Sequence, residues 1–168
     1  MESDEELKSK FSNIFIMLLY SISTNDLDRV KHYLTQEMID KYQKVIDTNI
    51  NRKETILFDE LNVKTISITN KEIKDDYNYI YVNLISRYMN YYINENGDFL
   101  RGNNKRRDEI SHKLVFRKKL NASSNSVVKC PGCGANVDSN FSGRCEFCGM
   151  TYSAENYDYQ LESITNLF

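Results

Sequence analysis

Tyr77-Asn78-Tyr79-Ile80-Tyr81-Val82-Asn83-Leu84 opens the longest strand-like stretch of the chain, which runs on to residue 93. Successive side chains of an extended strand point to opposite faces. Ile80, Val82 and Leu84 therefore share one face, and Tyr77, Tyr79 and Tyr81 the other. Moving outward, Asn94-Glu95-Asn96-Gly97 reads as a hairpin turn, because Asn-Gly readily takes positive φ. A short strand at 98–102 follows, then a break at Gly102-Asn103-Asn104. The last long strand, 107–119, alternates cleanly: Ile110, His112, Leu114 and Phe116 point one way, Arg107, Lys113, Arg117 and Lys119 the other. Upstream, residues 60–69 are rich in β-branched types (Val63, Thr65, Ile66, Ile68) and read as the first strand. Such alternation belongs to an antiparallel sheet covered on one face and wet on the other.

The cover comes from the N-terminal third. Leu7, Phe11, Ile14, Phe15, Leu18 and Ile22 recur at spacings of three and four, which predicts an amphipathic helix over 4–23. Thr24-Asn25-Asp26 stops it. A short second helix is expected over 27–34, burying Leu27, Val30 and Leu34. Thr35 then caps a third, 36–52, with Met38, Ile39, Tyr42, Ile46 and Ile50 on one side. Three helices followed by four strands is an α+β layout.

Composition bounds the function. With 40% hydrophobic and 27% charged residues among 168, the chain reads as a soluble globular protein. Its start, Met1-Glu2-Ser3-Asp4-Glu5-Glu6, is acidic where a signal peptide would be basic. The longest apolar run, Ile14 to Tyr20, is far short of the ~20 residues that span a bilayer. A cytoplasmic protein, with peripheral membrane contact allowed and an anchor ahead of residue 1 left open, is expected, with its cysteines reduced. The net charge of −2 is unevenly spread: residues 101–120 hold eight basic and two acidic side chains. That segment reads either as a solvated strand face or as a contact surface for anionic headgroups or an acidic partner. Within it Arg107, Lys113, Arg117 and Lys119, with His112, are the candidate contact residues.

Cys130-Pro131-Gly132-Cys133-Gly134 and Cys145-Glu146-Phe147-Cys148-Gly149 carry the chain's clearest chemistry. Two C-x-x-C knuckles each grip one ion with two thiolates, and together they complete a tetrahedron. The only proline and four of the six glycines fall in this stretch, as tight turns require. A zinc ribbon with one structural Zn²⁺ bound by Cys130, Cys133, Cys145 and Cys148 is the reading. Four cysteines leave no open coordination position, so no catalytic role is expected of the metal. Acidic neighbours outnumber Lys129 and Arg144 around the knuckles, which disfavours nucleic acid.

No phosphate loop, nucleophile elbow or His/carboxylate metal cluster appears in the rest of the chain. His32, between Lys31 and Tyr33, reads as a surface residue. His112 reads as a core or pocket-rim histidine, the rival being a proton-transfer base in a cavity.

Taken in order, the helices, the step into Leu61-Asn62-Val63-Lys64-Thr65-Ile66-Ser67-Ile68, the strand Tyr79–Leu84, the break at Gly102 and Lys113-Leu114-Val115-Phe116-Arg117-Lys118 resemble a known family. It is the C-terminal domain of the mitochondrial inner-membrane translocase subunit 44. Bacterial relatives of that domain often carry a ribbon like Cys130–Cys148. In them a Trp-Leu-Ile-like strand follows; here Tyr157-Asp158-Tyr159-Gln160-Leu161 stands in its place, without the tryptophan. The resemblance implies a nuclear-transport-factor-2-like fold, in which a curved antiparallel sheet and helices enclose an apolar pocket. It also implies membrane or lipid association, a role in protein transport, and no catalytic residues. The expected organisation is a helix-and-sheet domain at 1–120, a linker at 121–129, the ribbon at 130–152, and a tail at 153–168 that packs back as a strand. The expected function is a non-catalytic, transport-like binding module that holds an apolar ligand or docks on a membrane or protein partner. The alternative is a small enzyme of the same fold using His112 as base. Oligomeric state is left open.

Overall fold

A computed structural model describes residues 2–121, 127–130, 132–138, 144–150, 155 and 157–167. The middle of the expected linker at 122–126, together with Pro131 and Gly143, lies outside the described residues. Helix α1 spans Asp4–Ser23 and α2 spans Gln36–Arg52. The strands are β1 (Glu54–Lys74), β2 (Tyr77–Asn94), β3 (Phe99–Gly102), β4 (Asp108–Lys119), β5 (Val127–Lys129), β6 (Asn136–Asp138) and β7 (Gln160–Ile164). The two helices pack on one face of a curved antiparallel sheet of order β1-β2-β4-β7, with β3 pairing the far end of β2. This is the α+β, nuclear-transport-factor-2-like architecture.

Local chemistry explains the start of α1. The Ser3 hydroxyl accepts from the Glu6 amide at 3.2 Å, and the Glu6 carboxylate accepts from the Ser3 amide at 2.7 Å. Two otherwise orphaned donors are satisfied by this reciprocal cap. The buried stripe is Leu7, Phe11, Ile14, Phe15, Leu18, Leu19 and Ile22. It meets the inner face of the sheet, where Ile80 lies opposite Phe116, Val82 opposite Leu114, and Leu84 opposite His112. Phe11 stacks on Phe116 with ring centres 3.9 Å apart. Three register shifts between β1 and β2, at Asp59/Asn62, Val63/Thr65 and Ile68/Asn70, add extra residues to β1. Bulges of this kind raise the local twist and bend the ribbon.

Four expectations are corrected. Residues 27–34 form turns and one 3₁₀ turn at Lys31–Tyr33, not a second α-helix. The changed period turns Leu27, Val30, His32 and Leu34 all inward, so His32 is buried (2% exposed) and not a surface residue. In α2 the inward row runs Met38, Tyr42, Ile46 and Asn49. Asn49 takes the place expected for Ile50, which is 53% exposed. The first strand begins at Glu54, six residues before the expected 60, because Lys53 turns left-handed (φ 56°) and ends α2 abruptly.

After β4 the chain leaves the sheet, builds the cysteine knuckles, and returns. β7 then pairs with β4 from Leu114↔Ile164 to Arg117↔Gln160. Tyr159, Leu161, Ile164 and Leu167 join the same core as α1 and β2.

Candidate metal centre and apolar groove

The two knuckles have the same backbone construction. The Gly134 amide donates to the Cys130 carbonyl at 2.9 Å, and the Gly149 amide to the Cys145 carbonyl at 2.8 Å. Gly134 and Gly149 sit at φ 74° and 76°, a region glycine enters without steric cost. The Cys130 amide donates to Ala135 and the Cys145 amide to Met150, each at 2.8 Å, closing the loops. The hairpin β5–β6 supports the first knuckle.

All four Sγ atoms lie within 4.8 Å of one another. Cys130 Sγ is 3.6 Å from Cys148 Sγ, and Cys133 Sγ is 3.7 Å from Cys145 Sγ. A tetrahedral ion with metal–sulfur bonds of about 2.3 Å places its ligands about 3.8 Å apart, so these spacings fit. They are far longer than a disulfide of ~2.05 Å. The Gly132 amide points at Cys130 Sγ from 3.4 Å. The Cys130 thiol is drawn down to about 7, chiefly by the Cys133 amide and then by Gly132 and neighbouring thiols. Cys148 receives the Met150 amide, which acts to lower it, yet desolvation and the thiols of Cys130, Cys133 and Cys145 push it up to about 12. Four thiolates this close repel one another, and a cation at their centre removes the conflict. The cluster can hold one metal ion.

Cys130 and Cys145 are buried, whereas Cys133 and Cys148 are exposed. The buried pair packs on Tyr157 and on Tyr33, and Tyr33 also packs on the main core. Arg144 pairs with Asp28 at 2.7 Å. The centre thus rests on the 3₁₀ turn and its approach.

His112 is fully buried. Its Nδ1 lies 2.8 Å from the Thr165 carbonyl, which can only accept, so Nδ1 carries the proton. Nε2 then accepts from the Ser86 hydroxyl at 3.1 Å. Burial pulls its pKa below the usual 6.5, against the Thr165 carbonyl. Both nitrogens are committed, one to β2 and one to the segment after β7.

The basic candidates are dispersed in their partnerships. Arg107 donates to the Glu60 carbonyl and to Asn62 Oδ1. Arg117 lies over the Tyr77 ring at 4.5 Å, and Lys119 pairs with Glu155 at 3.1 Å. Lys113 is exposed. Lys113, Arg117 and Lys119 share the sheet face turned away from the helices.

On the opposite edge of the sheet, α1 and β1 border a groove of about 450 Å³. Its walls are Ile16, Leu19, Tyr20, Leu57, Phe58 and Leu61, with Ser23, Thr24 and Asp59 at the polar margin. Ile16 and Tyr20 are 40% and 55% exposed, unusual for large side chains on a core helix. Sequence periodicity placed neither of them, since both lie just off the buried stripe. The signal was the run Ile14–Tyr20, apolar all the way round.

A helix-covered curved sheet with a thiol cluster spliced in before its last strand defines an α+β, nuclear-transport-factor-2-like domain carrying a cysteine cluster that can hold a metal ion. The Tim44-like domain family matches residues 3–127, about three-quarters of the chain. The chain belongs to the Tim44-like domain family, whose members associate with membranes and proteins and are generally non-catalytic. Among curated proteins none matches it. Within the described residues, no helix is long and apolar enough to cross a membrane.

Proposed function

We propose that the chain is a non-catalytic, transport-like binding module that takes an apolar segment of its ligand into the α1–β1 groove, with zinc in the ribbon as a structural ion. The groove carries the reading. It is concave and mostly apolar, and only a few polar groups stand at its rim, as in sites that hold apolar ligands. The partner is a lipid or membrane surface; Lys113, Arg117 and Lys119 offer anionic groups a separate contact on the outer face. The proton-transfer alternative needs a histidine nitrogen free to meet a substrate. His112 has none free and no exposure.

Ile16→Glu and Tyr20→Glu alter exposed walls of the groove and should leave folding intact. Each is expected to reduce uptake of an acyl-chain probe by on the order of tenfold, a carboxylate being costly to desolvate there. Fluorescence titration checks this, alongside co-sedimentation with anionic and neutral phospholipid vesicles at low and high salt. Probe binding unchanged in both variants would remove the groove reading. Vesicle binding insensitive to charge reversal of Lys113, Arg117 and Lys119 would remove the outer-face contact.

Metal analysis of freshly purified, reduced protein is expected to return one zinc per chain, bound by Cys130, Cys133, Cys145 and Cys148. Free thiols with no bound metal would refute it.

A further inference from the structure

The knuckles interrupt a single sheet. β4 ends at Lys119 and its partner β7 begins at Gln160, so forty residues separate two strands that lie side by side. Closing a loop of that length costs chain entropy, and a cross-link inside the loop reduces the cost.

The segment that returns is short and heavily committed. The Gln160 side-chain Nε2 donates to the His32 and Leu34 carbonyls, each at 3.2 Å, and the Thr35 backbone amide donates to the Leu161 carbonyl at 3.2 Å. The Thr165 carbonyl accepts a hydrogen bond from His112 Nδ1, and the Thr165 hydroxyl accepts one from the Lys113 amide at 2.9 Å. Tyr159 sets its ring edge against Phe11. One residue earlier, buried Asp158 pairs with Lys10 of α1 at 2.8 Å. One residue before that, Tyr157 packs on Cys130 and Cys145. The wall of the thiol cluster and the first anchor of the strap are therefore adjacent residues. Tyr33 joins the two cores from the other side.

We infer that the four-cysteine centre is a latch: metal bound there holds the strap of residues 157–167 on the main sheet, and metal loss releases it. The strap lies beyond the part of the chain that the family match covers. Release uncovers the β4 edge at Leu114–Arg117 and the apolar slot beside Phe11 and Phe116, while β1 and β2 stay paired. The inference rests on the four thiols binding a metal, and the test separates the two.

Hydrogen exchange on the full chain is followed with zinc bound, after chelation under reducing conditions, and after zinc is restored. Metal content is measured in each sample. Amides at 160–165 and the Lys113 amide are expected to exchange on the order of tenfold faster without metal, and to recover with zinc. Amides at 80–84, inside the β1-β2-β4 ladder, should not change. Metal loss that leaves 160–165 protected overturns the latch, as does deprotection spread equally over 80–84. No bound metal in any sample defeats the metal reading and the latch with it. Tyr157→Ala keeps all four thiols, so it should still bind one zinc yet show the metal-free exchange pattern at 160–165. Full strap protection in zinc-loaded Tyr157→Ala would refute the route of coupling.

Discussion

Phe116→Ala is expected to destabilise the protein by about 3–5 kcal/mol, the range for emptying a buried aromatic site. Phe116 is fully buried, lies opposite Ile80 on β2 and Leu161 on β7, and stacks on Phe11 of α1. Four elements meet at this ring, and a rigid sheet on one side limits how far the cavity can collapse. Urea unfolding of the full chain provides the measurement. Ile73→Ala, at a position 71% exposed on the β1 end, is the control and should change stability by less than about 0.5 kcal/mol. A loss at Phe116 no larger than at Ile73 would mean that the helix layer does not sit on this face.

Acid should weaken the protein through His32. Among the described residues, both ring nitrogens of His32 are buried without a hydrogen-bond partner. Burial drives its pKa from 6.5 down to about 4, and the nearby Asp158 carboxylate offsets only part of that. The unfolded chain therefore binds a proton below about pH 6.5 that the folded chain refuses until about pH 4. Stability from this group is fully present above pH 6.5 and is lost as pH falls to about 4. A shift of that size corresponds to about 3 kcal/mol. His112, also shifted down by burial, acts in the same direction. His32→Leu removes the titration and the unpartnered nitrogens together. It should gain about 1–3 kcal/mol at neutral pH and show a shallower decline between pH 6.5 and 4. Urea midpoints for both proteins across that range give the difference, and acid release of metal, common to both, cancels. Parallel pH profiles would show that His32 is hydrated or partnered in solution.

The sheet was readable because its strands obey a local rule. In β4 the alternation of Ile110, His112, Leu114 and Phe116 with Glu109, Lys113 and Arg117 needs only the two-residue period, and the structure buries His112, Leu114 and Phe116. The stripe of α1 was readable for the same reason at a period of 3.6. Reading failed where the backbone left both periods. The turn at 27–34 keeps Leu27, Val30 and Leu34 inward, as expected, but its 3₁₀ geometry carries His32 inward as well. Nothing in Lys31-His32-Tyr33 announces that: the turn is held from over a hundred residues away, where the Gln160 side-chain amide donates to the His32 and Leu34 carbonyls. The groove was missed similarly. Exposure of Ile16 and Tyr20 depends on where bulged β1 curves past α1, not on either residue's spacing.

By itself the sequence determined the two long helices, the main strands and the pairing of the cysteine knuckles. C-x-x-C spacing is a property of a tight turn, and hydrophobic period is a property of one strand or helix, so both survive without knowledge of neighbours. Tertiary structure alone decided that Tyr157 walls the cysteine cluster, that the groove opens between α1 and β1, and that His112 is consumed by Ser86 and Thr165. Each of these joins residues from distant parts of the chain. Their proximity follows from how bulges bend the sheet and how the last strand closes it, and no local pattern carries that information.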